Sequence, residues 1–345
     1  MKIISPKRLL TNVFQTVRNG DIFANSSLDL PFARTKTLDP RVSFTRASIG
    51  TYVGSDGLIQ TATTNEPRFD HNPTTGESLG LLVEEAKTNL LLNSATLSTQ
   101  SATVTAVSTT LSFYGTGTVT LTGASTAGPL VGTGTNNRVS LTFTPTAGSL
   151  TLTVSGSVTN AQLEAGAFPT SYIPTDGTVG GRTRAADVAH IAGASFSSWY
   201  NQTEGTFFAD SNQASLTPTS RIISASSNAT ANRIIISRAS ASGGNISLTV
   251  TDAGTAQVVT TLGSSLAAGT SNKAAFVYKA VDFAGSVNGL AAVTQGTGTV
   301  PSALTQLTIG NGETLGNNPM TGTIKRITYW PVRLANPTLQ QITQP

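Results

Sequence analysis

Two histidines, His71 and His190, and no cysteine make up the inventory of imidazole and thiolate groups in this 345-residue chain. Without a thiolate set or a paired-histidine spacing, no zinc site is expected, and each histidine reads as a satisfied surface or turn residue. Asp187, His190 and Ser195 are the residue types of a nucleophilic triad, but they crowd into one short segment, whereas triads draw their members from separate elements. Glycan hydrolysis needs two carboxylates about 5–10 Å apart across a groove. Glu84-Glu85 is the adjacent acidic pair that stands out, and neighbours on a strand point to opposite faces. Calcium takes several clustered oxygens, whereas the acids of the C-terminal part (Glu204, Asp210, Asp252, Asp282 and Glu313) are isolated. The expectation is a protein with no catalytic group, no cofactor and no metal.

Binding groups are easier to find than catalytic ones. Trp199-Tyr200, beside a turn-rich stretch, is the aromatic candidate for an exposed glycan contact, with packing between domains as the alternative. Tyr329-Trp330 reads as part of a strand, with one ring turned into a core and the other out of it. Asn245 ends a loop that starts at Ser240, and Asn311 and Asn317 lie in a loop over 311–318. Their amides can bond sugar hydroxyls, but each such bond contributes only about 0.5–1.5 kcal/mol net. Attachment through them would be weak per site and would depend on many copies. Lys2, Lys7, Arg8 and Arg18 form a small basic cluster and are the candidates for anchoring the chain to a larger assembly. The other basic residues are scattered, so the net charge of +4 and the pI of about 9.5 do not describe a nucleic-acid-binding face.

The elements that must carry these groups are strands. Charged residues are only 11% of the chain, about half the usual share, and mean hydropathy is +0.02. In Val139–Thr144 and Leu150–Ser155 every second residue is apolar and its neighbours are hydroxylated, the period-two pattern of a half-buried strand. Pro145–Gly148 between them reads as a turn, so the two segments are expected to form an antiparallel hairpin. Asp56-Gly57, Asn72–Gly76 and Asn288-Gly289 mark further turns. Strands are also expected at Gly205–Ala209, Ile234–Ile236, Ile246–Val250 and Ala275–Tyr278, and one helical turn at Asn336–Ile342. The fold class is all-β, with tandem antiparallel β-sandwiches preceded by an anchoring segment.

A chain of this length outgrows a single core, so at least two folded units are expected. The boundaries read as an anchoring segment at 1–40, a small β-hairpin region at 41–95, a jelly-roll sandwich at 96–175, a connector at 176–200 and a second sandwich at 201–345. Neither a signal peptide nor a membrane-spanning apolar run is evident.

Three segments resemble blocks of structural proteins from tailed bacteriophages and prophages. The first joins Ser43-Phe44-Thr45-Arg46-Ala47-Ser48 and Tyr52-Val53-Gly54 to Glu66-Pro67-Arg68-Phe69-Asp70. The second runs from Ser78 through Glu84-Glu85 to Leu91. The third runs from Gln162 to Thr175 and leads into Thr183-Arg184-Ala185-Ala186-Asp187. The resemblance covers about 41–188 and implies a jelly roll like that of carbohydrate-binding modules. The C-terminal part is similar to the concanavalin A-like or laminin G-like sandwich in the order of Phe276-Val277-Tyr278, Val287-Asn288-Gly289, Leu307–Gly310 and Gly322–Pro331. The implied role is a virion structural protein, assembled in the host cytoplasm, of the tail-fibre or spike type that attaches to a host-surface glycan or protein. A capsid-bound head fibre or decoration protein and a particle-borne polysaccharide depolymerase are the alternatives. The implied partners are other virion proteins through the N-terminal segment and further copies of the chain, a trimer being expected; nucleic acid and membrane insertion are not. Because the jelly-roll segment has no Trp, recognition is expected in loops of 201–335.

Overall fold

The computed structural model describes residues 22–178, 180–214, 219–239 and 244–345. Lys2, Lys7, Arg8 and Arg18, and residues 240–243 of the expected binding loop, lie outside the described residues. The first part of the chain forms β1 (Leu28–Leu30), the short helix α1 (Phe32–Thr35), β2 (Ser43–Thr45), β3 (Gly50–Val53), β4 (Ile59–Ala62), β5 (Arg68–His71), β6 (Ser78–Val83) and β7 (Lys87–Asn89). The middle forms β8 (Gln100–Val104), β9 (Thr109–Gly115), β10 (Thr118–Gly123), β11 (Leu130–Val131), β12 (Gly134–Phe143), β13 (Gly148–Ser155) and β14 (Val158–Ala165). After these come β15 (Arg182–Arg184), β16 (Val188–Ala192), α2 (Ala194–Ser197), β17 (Glu204–Gln213), β18 (Ser220–Ser226), β19 (Arg233–Ala239) and β20 (Asn245–Asp252). The last are β21 (Thr255–Gly263), β22 (Ser271–Lys279), β23 (Phe283–Val287), β24 (Val293–Gln295), β25 (Gln306–Ile309), β26 (Gly322–Trp330) and α3 (Asn336–Ile342).

The fold is all-β and antiparallel, with two sandwiches. The larger packs a sheet in the order β24-β23-β22-β17-β26-β6-β5, with β1 also on β26, against a sheet in the order β2-β16-β25-β18-β19-β20-β21. Its core sets Phe207, Phe276 and Tyr278 of one sheet against Ile223, Ile234 and Leu248 of the other. Tyr329 points into this core as expected, but Trp330, on the reverse face, is buried too. The cause is α3, whose Leu339 and Ile342, three residues apart on one helical face, cover that side of the sheet with Phe208 and Val277.

The smaller sandwich packs β11-β10-β13-β8 against β12-β9-β14 over a core that includes Leu111, Phe113, Val119, Leu150, Leu152 and Leu163. Here the expected hairpin is corrected. Alternation located β12 and β13 correctly, yet β12 pairs with β9 while β13 pairs with β10 and β8 in the facing sheet. Pro145–Gly148 carries the chain across the core, so Phe143 and Leu152 meet from opposite sheets.

The sequence boundaries at 40 and 200 cut through the larger sandwich. β1 pairs with β26 from Leu28↔Tyr329 to Leu30↔Ile327, and Leu28, Leu30 and Phe32 are core residues. β6 also pairs with β26, and the stretch read as a connector supplies β16, which lies between β2 and β25. The smaller sandwich is therefore an insertion into the larger. Its entry and exit meet where the Asn93 amide donates to the Asp176 carbonyl at 2.9 Å, next to the paired β7 and β15.

Candidate functional site

The two sandwiches are joined by five fully buried charged side chains. Arg46 Nη1 donates to Asp187 Oδ1 at 3.0 Å, and Arg68 reaches both Asp187 and, at 2.8 Å, Glu84 Oε2. Arg184 Nη2 lies 3.4 Å from Glu84 Oε2 and donates to the Glu85 carbonyl. Ser171, on the exit from the smaller sandwich, donates its amide and hydroxyl to Glu84 at 2.7 and 2.6 Å. Burial alone would raise the Glu84 carboxyl, but Arg184, Arg68 and Ser171 outweigh it and hold the group at about 2. All of these residues stand in the blocks Ser43–Asp70, Ser78–Leu91 and Gln162–Asp187. In this fold the blocks converge on one structural keystone.

Above the keystone the sandwiches leave a cleft of about 280 Å³. The β3–β4 hairpin contributes Tyr52, β5 contributes Asp70, and the smaller sandwich contributes Tyr114 from β9 and Arg138 from β12. Asn212 and Thr323 close the side formed by the larger sandwich. Asp70 and Arg138 both sit at breaks in strand register, between Asp70 and His71 and between Gly134 and Val139. Such bulges turn a side chain out of the regular pleat. Gly80, opposite Asp70, has φ of +92°, and a Cβ there would lie 2.1 Å from the Ile324 carbonyl oxygen, so the bulge requires glycine.

Asp70 Oδ1 accepts the Val53 amide at 2.7 Å, but desolvation dominates and, with the nearby Glu84 charge, pushes the carboxyl up to about 6. Arg138 donates to the Thr170 carbonyl at 2.6 Å and to Ser112 Oγ at 2.8 Å, while its buried Nε has no partner. Tyr52 and Tyr114 are half-buried, and neither hydroxyl takes part in a hydrogen bond among the described residues. The arrangement offers ring faces, a carboxyl acceptor and guanidinium donors to one small polar molecule.

The candidates read from sequence are elsewhere. Trp199 and Tyr200 are buried: Trp199 packs edge-on against Tyr329 at 5.0 Å, and Tyr200 stacks on Phe196 at 4.5 Å. The large apolar surface of this pair completes the core instead of meeting solvent, which corrects the expectation of an exposed contact. Asn311 is also buried, donating to the Asp187 and Ile309 carbonyls. Asn245 is half-buried on β20 and Asn317 is exposed, and none of the five lines the cleft. Asp187 pairs with Arg46, Arg68 and, at 4.0 Å, Arg184, not with His190, so the imagined triad is not assembled. His71 was read as a surface or turn residue; it is a buried strand residue, with Nδ1 3.0 Å from the Val53 carbonyl.

No Gly-x-Ser-x-Gly elbow was expected, yet Gly76-Glu77-Ser78-Leu79-Gly80 has its letters. Ser78, however, lies on β6, paired with His71 of β5, and not on a strand-to-helix turn. Among the described residues, no three His, Asp or Glu cluster as metal ligands, and no helix is long and apolar enough to cross a membrane. The sequence did contain Tyr52 and Asp70 within the quoted blocks, but Tyr114 and Arg138 carried no signal, because nothing local shows that two sandwiches close around them.

No family model matches the chain, and no curated protein matches it. Solved structures are similar over part of it. The Ruminococcus gnavus IT-sialidase CBM40 bound to alpha2,3 sialyllactose gives a TM-score of 0.37 at 14% identity, over 42% of this chain and 84% of that one. The NanB sialidase from Streptococcus pneumoniae gives 0.38 at 17%, over 45% of this chain and 26% of that one. The native heptameric SAP-like pentraxin from Limulus polyphemus gives 0.34 at 19%, over 41% and 70%.

Proposed function

We propose that the chain is a non-enzymatic structural component of a tailed-phage virion, a fibre- or spike-type appendage that attaches to host-surface glycans. The observation that carries the attachment role is the cleft between the sandwiches, with Tyr52 and Tyr114 beside the Asp70 carboxyl and the Arg138 guanidinium. Rings plus a few convergent polar groups in a concave site are what saccharide binding requires. The particle context rests on the phage-like blocks, which here supply Arg46, Arg68, Glu84, Ser171, Arg184 and Asp187 to the keystone. In this reading the N-terminal segment contacts other virion proteins, and several copies, three in the proposed assembly, act together so that weak single sites add up.

A depolymerase is the rival with an observation behind it, since Asp70 is held near 6, a value suited to proton transfer. Its neighbour Glu84 is already committed to Arg68, Arg184 and Ser171, so the second carboxylate of a glycosidase pair is not free. The test has three readouts: binding of the purified full chain to host cells, its location on particles by antibody labelling, and reducing-sugar release from host polysaccharide. The expected outcome is cell binding, label on the tail and no sugar release. Label on the capsid would make it a head fibre or decoration protein, sugar release would make it an enzyme, and absence from particles together with no cell binding would end the proposal.

A further inference from the structure

Resting on the glycan-binding reading, we infer that the cleft takes an uncharged sugar, with Asp70 and Arg138 reading neighbouring hydroxyls and Tyr52 and Tyr114 supplying the surfaces for its ring. The charges in the cleft decide the ligand class. Arg138 is the cation that lines the cleft, and Asp70 and Glu84 are the carboxyls that line it; Glu84 is committed to Arg68, Arg184 and Ser171, which leaves Asp70 as the acceptor for a ligand. An acidic sugar would bring a second anion against a carboxyl that is already desolvated. A neutral sugar instead donates hydroxyls to Asp70 and accepts from the Arg138 guanidinium without adding charge.

The positions are built for this use. Both side chains are turned out of their strands by register breaks, and they come from different sandwiches. Arg138 is braced by Thr170 and Ser112, and Asp70 by the Val53 amide, so little ordering is left for the ligand to impose. A space of about 280 Å³, near the lower end of small-molecule sites, suits a short saccharide and not a long stretch of chain.

The proton balance gives the inference a sign. The groups around Asp70 are Arg68 on its own strand, Glu84 after β6, Tyr52 on β3, and Tyr114 and Arg138 from the smaller sandwich; His71 follows it in sequence. Hydroxyls donated to Asp70 favour its ionised form, so a neutral sugar should bind more tightly as pH rises through about 6 and then level off. A carboxylated sugar should show the reverse.

The experiment uses the full chain and calorimetry between pH 5 and 8. The probes are neutral gluco-, galacto- and manno-tetrasaccharides, with glucuronate- and galacturonate-containing tetrasaccharides beside them. Expected are binding of at least one neutral probe that tightens with pH and, in Asp70→Asn, an affinity that no longer varies with pH and is about ten- to a hundredfold weaker than the wild type's at pH 8. Tyr114→Ala should lose about tenfold, with Tyr114→Phe recovering most of it. Melting curves show whether each variant is folded; if Asp70→Asn is not, the Tyr114 pair and the wild-type pH profile still decide. Binding that ignores these substitutions overturns the site, and preference for the uronates with the opposite pH slope overturns the ligand class. No binding of any probe while the chain still binds host cells overturns this inference alone; no binding to cells either overturns the glycan reading beneath it.

Discussion

Asp187 illustrates how a side chain that looks catalytic can be wholly structural. Its two oxygens serve Arg46, Arg68 and the Glu84 amide, all out of contact with water. Charged residues are almost never fully buried unless paired, so no reading of local pattern would have placed three arginines and two acids inside a low-charge β protein. Removing one partner leaves the others charged and unpaired, which costs about 3–5 kcal/mol. Asp187→Ala should lower unfolding stability by that amount in a urea titration, and a loss under 1 kcal/mol would contradict the keystone role. The Glu84 and Asp70 carboxyls predict opposite pH responses. Glu84 is held at about 2, below its ordinary 4.5, so its stabilisation is complete above about 4.5 and is lost as pH falls toward 2. The size of that term is on the order of 3 kcal/mol. Asp70 is raised from 3.8 to about 6, so it favours the fold when protonated, and stability falls as pH rises from about 4 to 6. Asp70→Asn should reduce that fall, to which Glu164, also raised by burial, contributes, and leave the acid limb set by Glu84. A decline between pH 4 and 6 that is undiminished in the variant would show that Asp70 plays no part in it.

Elements were legible wherever a pattern of period two ran for several residues, as in β12, β13 and β20, because one face of each is more buried than the other. Partners were not legible. The turn at 145–148 has the letters of a hairpin, yet the strands it joins face each other across the core, because pairing is set by contacts distant in sequence. Short strands with little alternation, such as β1 and β16, were missed for the same reason: their burial comes from the sheets they join. The segment read as an anchor has the clearest consequence. Leu28, Leu30 and Phe32 fill the larger core, and Asp29 pairs with Arg326 at 2.7 Å. Burying three such side chains contributes roughly 5 kcal/mol or more. A chain starting at residue 41 should therefore melt well below the full chain or fail to fold, and Leu30→Ala alone should cost about 2–5 kcal/mol. An unchanged melting temperature for the truncated chain would return residues 22–40 to the role of a detachable tether.

At the scale of the whole molecule, the insertion topology decides which pieces can stand alone. The smaller sandwich has its own core, its ends meet at Asn93 and Asp176, and Asn89 ties them by donating to the Ala161 and Ile173 carbonyls and accepting from the Leu91 and Leu163 amides. A domain inserted through adjacent ends folds without its host, because few contacts other than those at its junction cross the boundary. The larger sandwich cannot be cut out so simply. Residues 201–345, a natural fragment by sequence boundaries, lack β1, β2, β5, β6 and β16, and with them Leu81, Val83, Ile191, Phe196, Trp199 and Tyr200 of the core. Their loss would bare the edges of β25 and β26, and open edges beside an unfilled core pair with other chains. The prediction is that residues 89–176 give a monomeric β fragment with a cooperative melt. Residues 201–345 should be aggregated or lack a cooperative transition, by circular dichroism and light scattering at matched concentration. A well-folded 201–345 fragment would mean that the early strands only decorate a core complete without them. Neither fragment should bind the saccharide held by the full chain, since Asp70 and Tyr52 belong to one side of the cleft and Tyr114 and Arg138 to the other. Full-strength binding by residues 89–176 alone would place the ligand on the smaller sandwich and not between the two.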